Sequence, residues 1–433
     1  LEAIDSSRFR GGLRCTATQP APRLRPDAYP CPAHPHSLLT PVTPCGMLPP
    51  IRLHCRRRRD VATTIRQIRK VELHQHVDGS IPLRTIWRLM KGHALAPVPT
   101  LREMRRLLQL QEDEEGSLLA YLDKFHYPLW ITQFYENIQR VTVDIVEEAY
   151  AHGVRLLELR YAPAIHTYAG LTPRQAIRSV LGGMNHSLRR HPDLEVGLII
   201  ISMRQHGPHI AKIIARQALA EAQHLHERSG VVGFDLAGAE RGNPPRLFRD
   251  AYEIARRGGL GLTVHAGEDE GPERIWEAID LLGADRIGHG CSAVSDRALL
   301  KRLTRERILV ECCPTSNYQT GAVPRGSRHP LYTFLEHGIP VAVCTDNTTV
   351  SDTDQTRENR LLLEELTVRE IAAIHRRAAD HSFVRRAPFL AERGRGSAAR
   401  RQDGLTKQTR RLELPGPEER LAGAKLGTLT LDR

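Results

Sequence analysis

The sequence predicts an α/β fold: a (β/α)8 TIM barrel with additional C-terminal helices, flanked by disordered basic tails. Three observations predict it. Short apolar, β-prone runs alternate with helical patterns through the middle of the chain, as parallel strands joined by helices require. Eight such strands fall within about 290 residues, the number that closes a barrel. No Gly-x-Gly-x-x-Gly follows the first strand, so the doubly wound alternative lacks its fingerprint.

Composition divides the 433 residues into three parts. The net charge of +12 looks like a nucleic-acid signal until it is located. Residues 1–60 hold 10 Lys/Arg against 4 Asp/Glu, and residues 393–433 hold 10 against 5. Residues 61–392 are nearly balanced, 42 against 41, so the charge says little about what the central domain binds. Residues 1–60 are rich in Pro and Arg, and text such as Thr40-Pro-Val-Thr-Pro44 supports neither a helix nor a central strand. They read as a disordered extension, 61–392 as the barrel and 393–433 as a disordered basic tail. Arg56–Arg59 fits either a localisation patch or a solvated run. No apolar run of about 18 residues and no basic-then-apolar leader pattern stand in the sequence, so a cytoplasmic location without membrane contact is expected. Cys291, Cys312, Cys313 and Cys344 lie in or beside apolar strands and read as buried thiols. Cys15, Cys31, Cys45 and Cys55 match no zinc spacing.

The elements follow in order. Val71–Asp78 is the first strand, and its alternation puts His74, His76 and Asp78 on one face. A helix spans Leu83–Lys91, followed by a polar stretch, Pro97–Gly116. Residues 118–135 concentrate the aromatics, Tyr121, Phe125, Tyr127, Trp130 and Phe134, as core or as a lid over the barrel mouth. Strands then follow at Val154–Tyr161, Glu195–Ser202, Val231–Leu236, Leu260–His265, Arg286–His289, Ile308–Cys313 and Val341–Cys344. Gly197-Leu-Ile-Ile-Ile201 is nearly continuous apolar text, as burial on both faces of a parallel sheet demands. Helices fall between them at Pro173–Arg190, Ile210–His226, Leu247–Arg257, Glu273–Leu282, Asp296–Leu303 and Pro330–His337. Residues 356–391 continue as helices, with Ile371–Ala379 the clearest.

The polar residues gather at one end of these strands. Gly261-Leu-Thr-Val-His-Ala-Gly-Glu268 is a buried strand that ends in His265 and turns at Ala266-Gly267. Alone, it reads equally as a helix N-terminus with a core histidine. The other strands decide: His74, His76 and Asp78 end strand one, Gly238 and Glu240 strand four, His289 strand six and Asp346 strand eight. A barrel brings these to its C-terminal mouth, where barrels place their chemistry. Three His nitrogens and one Asp oxygen suit zinc and leave a position for water. A bound metal brings the pKa of that water towards neutrality. His289 is placed to orient the water or take its proton, and Glu268 to deliver a proton.

Five ordered motifs within residues 65–390 resemble the adenosine deaminase family of the amidohydrolase superfamily. Glu72-Leu-His-Gln-His-Val-Asp-Gly-Ser80 is similar to its opening motif. The resemblance implies that His74 and His76 bind zinc and that Asp78 meets the ribose 5′-hydroxyl. Asp235-Leu-Ala-Gly-Ala-Glu240 is similar to the motif whose glycine, here Gly238, touches purine N3. His265-Ala-Gly-Glu268 matches the third zinc histidine and the glutamate that protonates N1. Arg286-Ile-Gly-His-Gly290 matches the water-orienting histidine, His289. Thr345-Asp346 matches the aspartate that completes the zinc site and holds the attacking hydroxide. The implied reaction is zinc-dependent deamination of adenosine to inosine and ammonia, with one Zn2+ per chain. The chain has Cys312-Cys313-Pro314 and not Pro-Cys-x-x-Cys, so cytidine-deaminase chemistry is not supported.

Asn347 stands where the family usually has a second aspartate near purine N7. It is either a donor to N7 or a turn cap after strand eight. The helices after Gln355 look slightly short, and both tails are foreign to the family. Adenine, or a 5′-modified adenosine such as aminodeoxyfutalosine, stays open as the substrate, because fold does not separate these. A nucleic-acid binder acting through the tails is the reading from another class, and the near-neutral core argues against it.

Overall fold

The computed structural model describes residues 65–223 and 229–386. The predicted extension 1–60, with Arg56–Arg59 and four cysteines, lies outside the described residues. So do the tail 393–433 and the last turn of the helix predicted to end at His226.

Eight parallel strands pair in sequence order: β1 Lys70–His76, β2 Val154–Tyr161, β3 Glu195–Met203, β4 Val231–Ala237, β5 Gly261–Ala266, β6 Arg286–His289, β7 Leu309–Cys312 and β8 Val341–Val343. The ring closes between its ends. Gln75 bridges Asp346, the His76 N–H donates to the Asp346 carbonyl at 2.8 Å, and the Asp346 N–H donates to the His74 carbonyl at 2.9 Å. This is the predicted (β/α)8 barrel. Helices surround it and pack apolar faces onto the strands, as in Pro173–Arg190, which buries Ile177, Val180, Leu181, Met184 and Leu188. That helix starts at a capping box, Thr172 with Gln175, and Pro173 fills its first position.

Three helices form where none is expected, the short Pro314–Gln319 after β7 among them. Leu101–Leu108 folds inside the stretch read as polar, opened by a Thr100–Glu103 capping box. Tyr135–Ala151 fills a segment to which the sequence analysis assigns no element. It buries Ile138, Val141, Thr142, Ile145, Val146 and Ala149, one apolar stripe at helical spacing. The aromatic stretch forms two short helices, Leu118–Asp123 and His126–Ile131, that stand over the mouth. It serves both expected roles, since Tyr121 is buried and Phe125 faces the cavity. Strand β1 stops at His76, so Asp78 is reached from the following turn. Cys291, Cys312, Cys313 and Cys344 are free and buried, as expected. Among the described residues, no helix is long and apolar enough to cross a membrane.

The C-terminal helices close the other end of the barrel. Val368–Asp380 docks His375 under β1, where its Nδ1 accepts the Val71 N–H at 3.2 Å and its Nε2 donates to Asn359 Oδ1 at 2.7 Å. Ser382, Phe383 and Val384 then enter the barrel floor, where Glu158 Oε1 accepts the Ser382 hydroxyl at 2.7 Å and the Phe383 N–H at 2.6 Å. The floor has room only because β4 and β5 carry glycine there. A methyl group at Gly261 would sit 2.2 Å from the Phe383 ring, and one at Gly233 would sit 2.8 Å from it.

Gly261→Ala is therefore predicted to destabilise the fold by about 1–3 kcal/mol through overpacking. Adding Phe383→Ala should make the Gly261 change cost less than it does alone, because the clashing ring is gone. Chemical denaturation of the four proteins measures this, and fully additive effects would show that the ring does not constrain Gly261.

Candidate active site

Three imidazoles point their Nε2 atoms at one place. His74 and His76 come from β1 and His265 from β5. Their Nε2 atoms lie 3.0 Å (74–265), 3.2 Å (76–265) and 3.3 Å (74–76) apart. Asp346, just beyond β8, brings Oδ1 to 3.3 Å from His76 Nε2 and 3.6 Å from His74 Nε2. Nitrogen atoms this close repel unless something between them accepts their lone pairs.

The far sides of the His74 and His265 rings show that their lone pairs face inward. His74 Nδ1 lies 2.9 Å from Glu311 Oε2, and His265 Nδ1 lies 3.0 Å from Asp235 Oδ2. Both carboxylates are fully buried and accept only. Each Nδ1 therefore carries the proton, and each Nε2 offers its lone pair, the arrangement typical of metal-ligating histidines. Burial also holds His74 and His76 well below the ordinary histidine range, which favours their neutral forms. Zn–N bonds of about 2.0–2.1 Å in a tetrahedron place nitrogens about 3.3–3.4 Å apart. The observed triangle fits a zinc-sized ion with little adjustment. The Asp346 carboxylate is oriented by Ser316, whose hydroxyl donates to Oδ2 at 2.6 Å.

A second cluster of possible ligands substitutes His289 for His76 and Asp346. The hydrogen bonds disfavour it. His289 Nδ1 faces Asn317 Nδ2, a donor, at 2.9 Å, so the proton of this ring resides on Nε2, which has no lone pair to give. That Nε2 lies 3.5 Å from Glu268 Oε2.

Glu268 sits in the turn after β5. Burial pushes its carboxyl well above the usual range, and the nearby Asp346 and Glu240 carboxyls push the same way. Both effects favour its protonated form. Glu240 holds the turn in place: its two oxygens accept the N–H groups of Gly267, Glu268, Asp269 and Glu270 at 2.9–3.2 Å. Arg204 completes the brace, donating to the His265 carbonyl at 2.5 Å from a position 3.8 Å from Glu240.

These groups line one cavity of about 400 Å3, within the usual range for a small-molecule site. His76, Asp78, Gly238, His265, Glu268, His289, Asp346 and Asn347 all face it, and Leu118, Leu122, Phe125 and Leu129 form its apolar wall. His74 lies behind, fully buried. The structure thus brings together every residue singled out in the sequence. Burial raises the Asp78 carboxyl to about 6, and among the described residues its Oδ1 has no hydrogen-bond partner. Asn347 Oδ1 is likewise unpartnered and lies against Gly79, where a methyl group would come within 1.8 Å of it. Gly238 has φ +97°, and its missing Cβ leaves room for the Gln205 amide.

The comparisons with known proteins agree with this geometry. The sequence profile of the adenosine deaminase family matches residues 69–388. An adenosine deaminase of Clostridium kluyveri is 36% identical over 327 residues, 74% of this chain and 91% of that one. The chain belongs to the adenosine deaminase family. It is a hydrolytic deaminase acting on carbon–nitrogen bonds, and purine deamination is the activity its relatives support. An adenine deaminase of Arthrobacter aurescens superposes with a TM-score of 0.67 at 27% identity, covering 75% of this chain and 97% of that one. An N6-methyl-AMP deaminase of Arabidopsis thaliana gives 0.65 at 26%, covering 76% and 97%.

Sequence reasoning assigned no role to Glu311, Arg160, Arg204, Ser316 or Asn317, and left Asp235 and Glu240 as motif letters. The available signal was charge inside apolar strands, as in Glu158-Leu-Arg160 and at Glu311. Glu240→Ala is predicted to leave four backbone donors without their acceptor. It should lower stability by about 1–3 kcal/mol or more and speed amide hydrogen exchange selectively at 267–270. Unchanged exchange at those four amides would show that the turn holds its shape without Glu240.

Proposed function

We propose that this chain catalyses zinc-dependent hydrolytic deamination of adenosine to inosine and ammonia. One observation carries the reading: a buried carboxyl, Glu268, faces the same cavity on which the Nε2 atoms of three imidazoles converge. His74, His76, His265 and Asp346 would hold one zinc ion. When bound, zinc lowers the pKa of a coordinated water and makes it nucleophilic near neutral pH.

This chain's residues supply the rest. Glu268 donates its proton to purine N1, which draws electrons from C6 as the C6–O bond forms. The C6–N bond then breaks. One water proton leaves with the amine as ammonia, the other restores Glu268, and N1 keeps the proton it received. The Gly238 backbone meets N3. Asp78, with a buried oxygen lacking a partner, accepts a hydrogen bond from a sugar hydroxyl, because an unpaired buried acceptor is costly.

That feature favours a nucleoside over the free base, the substrate in the name of the Arthrobacter relative. A nucleotide, as in the name of the Arabidopsis relative, is disfavoured because among the described residues no Lys or Arg lines the cavity. Adenine and 5′-modified adenosines are the alternatives. Ammonia release from adenosine, adenine, AMP and 5′-modified adenosines tests the choice directly. Adenosine should give the highest kcat/KM, and a preference for AMP or adenine would overturn the assignment. Glu268→Gln should retain zinc and bind inosine but lose about two or more orders of magnitude in kcat. Near-normal turnover would place the acid elsewhere.

Asn347 is proposed to donate its amide N–H to purine N7, an acceptor, at any ordinary pH. Leaving such a donor buried and unpaired costs roughly 1–3 kcal/mol. A 7-deaza analogue of the substrate should therefore show kcat/KM lower by about one to two orders of magnitude, and Asn347→Ala should shrink that gap. Equal processing of the parent and 7-deaza compounds by the wild type would reduce Asn347 to a turn residue.

A further inference from the structure

We infer that Asn317 and His329 are positioning residues that lock the proton of His289 on Nε2, so that this histidine serves the reaction as a neutral hydrogen-bond donor and not as its base. The role in catalysis rests on the deaminase reading above; the proton's place does not.

The chain of bonds starts from the backbone, where donor and acceptor are unambiguous. The Leu331 N–H donates to His329 Nδ1 at 3.0 Å. His329 therefore carries its proton on Nε2, which lies 3.2 Å from Asn317 Oδ1. The Cys313 N–H donates to the same oxygen at 3.3 Å. Two donors thus fix the Asn317 amide. Turning it over would set its NH2 against both the Cys313 N–H and the His329 N–H, with no acceptor between them. The amide must then point Nδ2 at His289 Nδ1, which it does at 2.9 Å.

His289 has no choice left. A proton on Nδ1 would face the Asn317 N–H, and an imidazolium, protonated on both nitrogens, would face it too. Only the neutral ring with Nε2–H satisfies the contact. All three side chains are at least 97% buried, so water has little access to substitute for a lost bond. The backbone of His289 is also held at φ +62°, which fixes where the ring can aim.

This is the reverse of the arrangement at His74 and His265, whose Nδ1 atoms face carboxylates. There the inward nitrogen offers a lone pair. At His289 the inward nitrogen offers a proton, towards the oxygen that develops on C6. A preformed donor aimed at developing negative charge stabilises the transition state without any proton transfer.

The test uses the full chain in its zinc-loaded form, labelled with 15N-histidine. Long-range 1H–15N correlation reads the tautomer of each ring, and the His289 signals are identified by their loss in His289→Asn. In wild type near pH 7.5, Nε2 should carry the proton and Nδ1 should show the shift of an unprotonated acceptor. Asn317→Asp replaces the donor with an acceptor and should move a proton onto Nδ1. Its kcat should fall by about 10- to 100-fold with KM changed by less than about threefold. His329→Leu, which frees the Asn317 amide to turn, should give a mixture of tautomers and a smaller loss of kcat. A wild-type His289 protonated on Nδ1 would overturn the inference, as would an Asn317→Asp protein with unchanged tautomer and kcat. Should Asn317→Asp not fold, the wild-type spectrum still decides. A wild type with the expected tautomer but no activity on any 6-aminopurine would fault the functional reading alone.

Discussion

Glu311 joins the floor of the barrel to its mouth. Its Oε2 takes the His74 Nδ1–H and pairs with Arg160, and its Oε1 pairs with Arg286 at 2.7 Å and accepts the Thr263 hydroxyl at 3.1 Å. Arg160 continues to Asp235 at 2.8 Å, and Asp235 holds His265. Burial pushes the Asp235 carboxyl up, but His265 and Arg160 more than reverse it and keep it ionised. Arg286 continues to Glu158 at 2.7 Å, which caps the chain at Ser382 and Phe383. Every member is fully buried apart from His265, which is nearly so. Removing one partner from such a set strands the others and typically costs about 3–5 kcal/mol. Within it, the carboxyl groups of Glu158, Glu311 and Asp235 are tied together by the guanidinium groups of Arg160 and Arg286.

The network also explains how one side-chain type does two jobs a few ångströms apart. Imidazole is a ligand or a donor according to what its other nitrogen meets. A carboxylate behind His74 and His265 makes the inward nitrogen a base towards metal. An amide behind His289 makes the inward nitrogen a hydrogen-bond donor. The ring centroids of His74 and His289 are 4.8 Å apart, so their difference cannot come from solvent or depth. It comes from Glu311, in β7, against Asn317, in the short helix Pro314–Gln319 that follows it.

Much of this was legible in the sequence, for a physical reason. Strands buried on both faces read as apolar runs, and barrel chemistry stands at strand C-termini, so His74, His265, His289 and Asp346 announced themselves by position. Asp78, Gly238 and Glu268 came with the same motifs. What stayed hidden depends on closure. Glu311 and Arg160 read as interruptions in apolar strands, and although they pair with each other they lie 151 positions apart in sequence. The helix Tyr135–Ala151 was obscured by its β-branched run, Val141 to Val146, which weakens helix propensity even though the apolar spacing is helical. The capping box at Thr100 and Glu103 was visible, but a polar surround masked the short apolar face behind it.

Two of the site's residues are held in backbone conformations that side chains resist. His289 has φ +62° and Asp346 has φ +59°, each at a cost of order 1–3 kcal/mol. Asp346 is held there by the bonds that close the ring, its N–H to the His74 carbonyl and its carbonyl to the His76 N–H. The residues pairing across that seam are therefore themselves site residues. No part of the barrel can assemble the site ahead of the whole: β1 supplies two imidazoles, β5 the third, and the carboxylate arrives only when β8 meets β1. Forming the site and closing the barrel are one event, so an ion bound there stabilises the closed ring directly, through the coupling of metal binding to folding. The strain at Asp346 is met by the ring-closing hydrogen bonds beneath it, and an ion held by its carboxylate would offset it a second time.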